Sequence, residues 1–152
     1  MPSLGLAVSA QGPVVDVHVG VSIARLQAIR TAGLPDPPLI WARMLVDTGA
    51  SASNVCSSVI QQLSIQPTGK VSVFTPSTGN VPAVMDQYDV CFYLGFTPTV
   101  LGVVPPIHTI PNVPVTCSNF TSQGIQGLIG RDILANATLI YHGHMNMFTL
   151  SF

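Results

Sequence analysis

The sequence predicts an all-β fold, and three observations carry that prediction. Apolar and polar residues alternate with a two-residue period through its clearest segments, 13 Gly and 13 Pro punctuate them, and only two short stretches show helical spacing. Alternation rich in β-branched and aromatic residues sets one face of a strand on a core and the other in water. Glycine and proline supply the turns between such strands.

Taken in chain order, VVDVHVGVS (14–22) is the first alternating strand, and IRTAGLPDPPL (29–39) reads as an exposed loop joining it to the next. LIWARMLV (39–46) is apolar at both parities apart from Arg43. That predicts a central strand covered on both faces, with Trp41 packed within it. In NVCSSVIQQL (54–63), Val55, Val59 and Leu63 recur four apart, and Ser53 or Asn54 could cap the first turn of a short helix. VSVF (71–74) and YDVCFYLG (88–95) alternate again. GRDILANA (130–137) predicts a second short helix with Asp132 near its positive end. MNMFTLSF (145–152) is a closing alternating strand. No repeat and no low-complexity tail divides the chain, so residues 1–152 are expected to form a single domain.

Composition narrows the function. Only 7% of residues are charged, Glu is absent, and the formal net charge is −1. Such a chain has no basic field and no run of Lys or Arg for nucleic acid. A mean hydropathy of +0.51 would raise the question of a membrane. The uncharged stretch 90–130, however, carries Pro98, Pro105, Pro106, Pro111 and Pro114, which no continuous spanning helix tolerates. Cys56, Cys91 and Cys117 are odd in number and form no CxxC pair, which predicts buried free thiols. The start, MPSLGLAVSAQGP, has no basic residue and an apolar run too short for a secretory signal, so a cytoplasmic location is expected. His142 and His144 form a close pair, but no third ligand accompanies them; a hairpin turn is expected, with no metal and no cofactor.

One acid stands out. LVDTGASAS (45–53) places Asp47 between an apolar strand and a run of small residues. A buried, unpaired carboxylate costs several kcal/mol or holds its proton, so the position calls for an explanation. An Asx turn closing a strand is one. The other is chemical: a tight turn, with Gly49 admitting close approach, could hold a carboxylate rigidly at the floor of a cleft. Two such groups meeting across a two-fold axis would share one proton and could activate a water for amide hydrolysis.

LVDTGAS resembles the active-site motif of the retropepsin-like aspartic proteases, and GLIGRDIL (127–134) resembles their second signature, in the expected order. Between them, VSVFTPSTGNVPAVMDQYDV (71–90) has the strand, small-residue tip and returning strand of that family's flap. The resemblance spans 39–152, the first 38 residues matching only as a generic leading strand. It implies an acid-protease barrel with one or two short helices, each subunit supplying half of a two-fold dimer.

On that resemblance Asp47 is the catalytic carboxylate, Thr48 interlocks the subunits, and Gly49 offers its backbone near substrate. Ala50, Ser51, Ser77, Thr78, Gly79, Asn80, Val81, Val84 and Leu128 would line the substrate site. Gly127 and Gly130 would support the catalytic loop from beneath, and Arg131 and Asp132 would open the helix that holds it. Ser51 departs from viral relatives, which commonly carry an acid there to pair with the helix arginine; Arg131 must find another partner. Ala50 cannot hydrogen-bond the carboxylate as the hydroxyl residue of pepsin-type enzymes does, so a mildly acidic rate optimum is expected. No second Asp-Thr-Gly exists in the chain. The resemblance therefore implies a homodimer acting on peptide or protein substrates, its terminal FTLSF strand interleaving with the partner's. The alternative from another class is a dimerisation or peptide-binding module of the same fold with little or no turnover.

Overall fold

The computed structural model describes residues 1–75, 78–95, 97–99, 102–104 and 108–152, with backbone alone at 97–99 and 102–104. Twelve strands and three α-helices are described: β1 (Ser3–Ala7), β2 (Val14–Val21), α1 (Ile23–Thr31), β3 (Ile40–Val46), β4 (Asn54–Cys56), α2 (Ser57–Leu63), β5 (Gly69–Val73), β6 (Ala83–Leu94), β7 (Thr97–Thr99), β8 (Gly102–Val104), β9 (His108–Ser118), β10 (Gly127–Ile129), α3 (Arg131–Leu134), β11 (Thr138–His142) and β12 (Met147–Ser151). The all-β reading holds. Its helices are short.

The main sheet runs β2-β3-β10-β4-β9-β6-β5, and an additional β2–β6 pairing closes it into a barrel with β5 hanging on the outside of β6. Closure leaves each strand one inward and one outward face. β2 sends Val15, Val17, Val19 and Val21 inward, β3 sends Ala42, Met44 and Val46, and β6 sends Val90, Phe92 and Leu94; all are buried. From α2, Val59, Ile60 and Leu63 add to the same core.

Barrel closure also corrects the sequence reading of β3. The strand is central, lying between β2 and β10, but it is covered on one face only. Trp41 stands 49% exposed, because residue 41 falls on the outward parity. Apolar character at both parities did not mean burial at both.

Two helical readings change as well. The predicted 54–63 helix is a strand followed by a shorter helix: Asn54 and Val55 pair with β10, and β4 also lies parallel to β9. Asn54 therefore does not cap. Its Nδ2 donates to Thr116 Oγ1 at 2.7 Å and Ser118 Oγ at 3.1 Å, while the residue preceding α2 is Cys56, without a side-chain cap. Conversely, part of the predicted 29–39 loop is helix α1, capped by Ser22 Oγ on the Arg25 N–H. No residue of α1 is buried, so it carries no apolar stripe to betray it; Leu26 and Ile29 only lean on the core.

A smaller sheet, β1-β12-β11, joins the same core through Phe148 and Leu150. β12 is its middle strand, antiparallel to β1 over Ser3↔Ser151 to Ala7↔Met147 and to β11 over Thr138↔Ser151 to His142↔Met147. The FTLSF strand is thus not a free edge, contrary to expectation: its own chain fills both sides. β1 went unread because SLGLA alternates with small residues only. His142 and His144 lie at the β11–β12 turn, as a hairpin predicts.

Close approach dictates glycine at 127. A Cβ there would fall 2.3 Å from the Asn54 carbonyl oxygen and 2.7 Å from Met44 Sδ. Gly127→Ala should lower stability by about 2 kcal/mol or more, because backbone cannot yield as a side chain end can. Gly69→Ala, with nothing within 4 Å of the new carbon, is the control. Urea unfolding midpoints of the two variants make the comparison.

His18 faces outward on β2, in register with Trp41 and Tyr93. Burial pushes its pKa below the ordinary 6.5, against a smaller upward pull from Asp16. The native state thus holds the imidazole neutral where the unfolded chain binds a proton, and stability falls as pH drops below 6.5 toward the folded value. His18→Gln should lose less stability than wild type between about pH 7 and about pH 5, measured by thermal unfolding at each pH.

Candidate active site

The Asp47 turn begins where β3 ends, and its place is set by β10. That strand runs parallel to β3, pairing Gly127↔Met44, Leu128↔Leu45 and Ile129↔Val46, and antiparallel to β4 on its other side. Asp47 N–H donates to the Ile129 carbonyl at 2.9 Å, continuing the ladder one residue into the turn. The chain then folds tightly: Ala50 N–H donates to Asp47 O at 3.2 Å, and Gly49 N–H donates to Asp47 Oδ1 at 2.9 Å. The Asx-type bond of the simpler reading is therefore present. It also orients one carboxylate oxygen of a half-buried side chain.

Glycine at 49 leaves that oxygen free of crowding, since a Cβ would lie 3.1 Å from it. Thr48 and Gly49 are exposed. Among the described residues no hydrogen bond involves the Thr48 hydroxyl, whereas its carbonyl accepts from Arg131 Nη1 at 3.1 Å. This is the partner that Ser51 could not give the helix arginine. Arg131 N–H in turn donates to the Ala50 carbonyl at 2.9 Å, so α3 holds the turn from both backbone and side chain.

A second grip sits one step further along. Ser53, fully buried, donates its N–H to Asp132 Oδ2 at 2.9 Å and its hydroxyl to Asp132 Oδ1 at 2.8 Å. The same hydroxyl accepts from Gly130 N–H at 3.0 Å, and Asp132 Oδ1 also accepts from Ile133 N–H at 2.9 Å. Each polar atom is thereby answered, which burial requires. Gly130 permits the contact: a Cβ there would lie 2.6 Å from the Ala52 carbonyl carbon. Sequence reasoning included Asp132 but offered Ser53 only as a helix cap; the small residue three places after Ala50 gave no signal of its own.

The structure therefore gathers Asp47, Thr48, Gly49, Ala50, Gly127, Leu128, Gly130, Arg131 and Asp132 around one turn. The hairpin residues stand apart from it. β5 and β6 pair from Gly69↔Gln87 to Val73↔Ala83, and the described part of the tip is closed by Thr78, whose hydroxyl donates to Thr75 O at 2.9 Å. Gly79 and Asn80 are exposed, Val81 and Val84 are 73% and 67% exposed, and Ser77 lies outside the described residues. Among the described residues no hydrogen bond ties this tip to the Asp47 turn, and Ser51 is exposed beside it.

Concavities open away from the turn. One of about 380 Å³ lies between β9 and α3 and includes His108, Val113, Asp132 and Asn136. Another, of about 210 Å³, lies beneath α1 and includes Leu26, Arg30, Leu39 and Tyr93, whose hydroxyl burial pushes up to about 12. Neither is lined by Asp47. Among the described residues no group of three His, Cys, Asp or Glu is placed for a metal, and no helix is long and apolar enough to cross a membrane. All three cysteines are free, Cys56 and Cys91 buried and Cys117 half-buried.

Among solved structures, a retropepsin-like aspartic protease from Rickettsia conorii matches 99% of this chain and 90% of its own, with a TM-score of 0.57 and 12% sequence identity. The chain has the retropepsin-like fold. No protein family matches the sequence, nor does any curated protein. Within the retropepsin-like fold, the barrel, the β3 turn and the α3 grip are one connected unit.

The Ser53 bridge yields a direct test. Ser53→Ala removes a donor from Asp132 and leaves the buried Gly130 N–H without its acceptor, which should cost about 1–3 kcal/mol. Equilibrium unfolding in urea measures it. A loss below about 0.5 kcal/mol would mean the bridge contributes nothing.

Proposed function

We propose that this protein is a homodimeric aspartic endopeptidase in which each subunit contributes one Asp47. The observation that carries the reading is the held turn: a single half-buried carboxylate, oriented by Gly49 N–H, on a loop fixed to β10 and α3. A second copy across a two-fold axis supplies the missing half. Thr48, exposed with its hydroxyl unengaged, is then available to the partner's turn.

Two carboxylates about 3 Å apart cannot both ionise, so the pair holds one proton between them. The ionised group takes a proton from a water seated between the two, and the resulting hydroxide attacks the peptide carbonyl carbon. The protonated group gives its proton to the carbonyl oxygen, forming a tetrahedral diol. The C–N bond then breaks as one carboxyl gives its proton to the leaving nitrogen while the other takes a proton from a diol hydroxyl, which leaves a carboxylic acid, an amine and the dyad in its starting state. No cofactor enters this scheme. The 71–90 hairpin covers an extended peptide segment, with Ala50, Ser51, Ser77, Thr78, Gly79, Asn80, Val81, Val84 and Leu128 along it. We read residues 1–152 as one domain working in the cytoplasm, where Cys56, Cys91 and Cys117 stay reduced.

The test is cleavage of an unfolded protein substrate by the purified chain. Wild type should cleave, pepstatin should inhibit, and specific activity should fall on dilution as dimers dissociate. Asp47→Asn should abolish cleavage with its unfolding midpoint unchanged. Retained cleavage in that variant removes Asp47 from the mechanism. Peptide binding without turnover in wild type would favour the module of the same fold instead.

A further inference from the structure

The sequence offers the His142 and His144 pair no third acid or thiol nearby, but the fold offers it a thioether. β11 and β12 pair antiparallel through the turn that carries both histidines, and the register sets His142 directly opposite Met147. Residues so placed hold their Cβ atoms about 4.5–5.5 Å apart on one face of a sheet. That face is the outer one, because Phe148, next along β12, takes the inner face and is fully buried. The His142 and His144 rings stand edge to face, their centres 6.5 Å apart. His142 is thus beside both other donors.

The turn is held in shape by its own chain. Asn146 adopts a left-handed backbone, φ 51°, which asparagine tolerates, and its N–H donates to the Gly143 carbonyl at 3.2 Å. Val8 N–H donates to the Asn146 carbonyl at 2.9 Å, and Asn146 Nδ2 donates back to the Val8 carbonyl at 3.3 Å. The chain leaving β1 therefore fixes the loop from the side away from β11. Ala7, opposite Met147 on β1, is small, and Met147 remains 39% exposed. His144 is exposed and His142 half-buried. Residues 138–152 contain no acid and no Lys or Arg, so every donor at this turn meets an ion without a formal charge beside it.

We infer that His142, His144 and Met147 form a surface site for Cu(I), a soft monovalent ion, at the β11–β12 turn. Two imidazoles and a thioether are neutral donors, and thioether sulfur selects Cu(I) over harder divalent ions. An imidazole nitrogen lies about 2.0–2.1 Å from a bound zinc ion, and Cu(I) is of similar reach. With the ring radius added, two rings on one metal stand roughly 5–6 Å apart centre to centre, so a separation of 6.5 Å closes by a small side-chain rotation. An exposed His144 and the flexible Met147 side chain are free to make it. The expectation of no metal at this pair rested on the lack of a third Cys, Asp or Glu; Met147, brought opposite by the register, is the donor it omitted. This inference does not depend on the reading of Asp47.

Anaerobic titration of the full chain with Cu(I), in competition with the chelator bicinchoninate, tests the site. His142→Ala and His144→Ala should each weaken Cu(I) binding by roughly 100-fold, at the upper end of what losing a group that only supports a ligand costs. Met147→Leu, close in size but without sulfur, should weaken it by about 10-fold or more and leave Zn(II) binding unchanged. Met85→Leu, on β6, should bind as wild type does. A second measurement needs no variant: in wild type, Cu(I) should shift the Met147 methyl and both imidazole NMR signals before those of other side chains. Cu(I) affinity unchanged in both histidine variants would place the ion on the free thiols and overturn the site. A Met147→Leu chain that binds Cu(I) as tightly as wild type, or a Met147 methyl signal that does not move, overturns it equally.

Discussion

The passage of β10 between β3 and β4 is the constraint on which the rest of the structure depends. It forces three backbones together with no room for a Cβ at Gly127 or Gly130. In return, the Ile129 carbonyl reaches Asp47, and the chain leaving β10 turns straight into α3 against the Ala50 and Thr48 carbonyls. A carboxylate at the end of a strand would ordinarily sample several rotamers. Here its backbone is tied on both sides within three residues, and its side chain is tied to Gly49. The orientation of this carboxylate is thus set by its own chain, with no ligand needed.

The two grips of α3 act on different parts of the loop. Arg131 takes the carbonyl at the turn's crest, a neutral acceptor where Ser51 offers no carboxylate. Asp132 takes Ser53, where the loop enters β4. Together they span the whole run from β3 to β4, so movement at one end is resisted at the other. A helix of only four residues suffices because Ile133 anchors it in the core while the two side chains at its start make the grips.

Much of this was legible in residues whose type and order are themselves distinctive. The Asp-Thr-Gly turn, the two glycines and the Arg-Asp opening of α3 stand out in the sequence although their partners lie far along the chain, Arg131 at Thr48 and Gly127 at Asn54. Alternation likewise revealed β2, β6 and β12. What escaped were residues of ordinary type whose role a distant partner sets. Asn54 looks like a helix cap until Thr116 and Ser118 arrive beside it. Trp41 looks like core until the sheet curls and turns its face outward. Ser53 is one small residue among several, and only its burial against Asp132 and Gly130 distinguishes it. Helix α1 has no buried residue, so periodicity had nothing to report.

Pairing β1 with β12 has a temporal side. Ser3 lies opposite Ser151, and Phe152 N–H donates to the Pro2 carbonyl at 3.0 Å, so the first and last strands are mutual neighbours. Closing so long a loop is entropically slow, and it cannot begin until synthesis has reached the final strand. A nascent chain therefore lacks this sheet until β12 has left the ribosome, and any property that depends on the sheet waits for that strand.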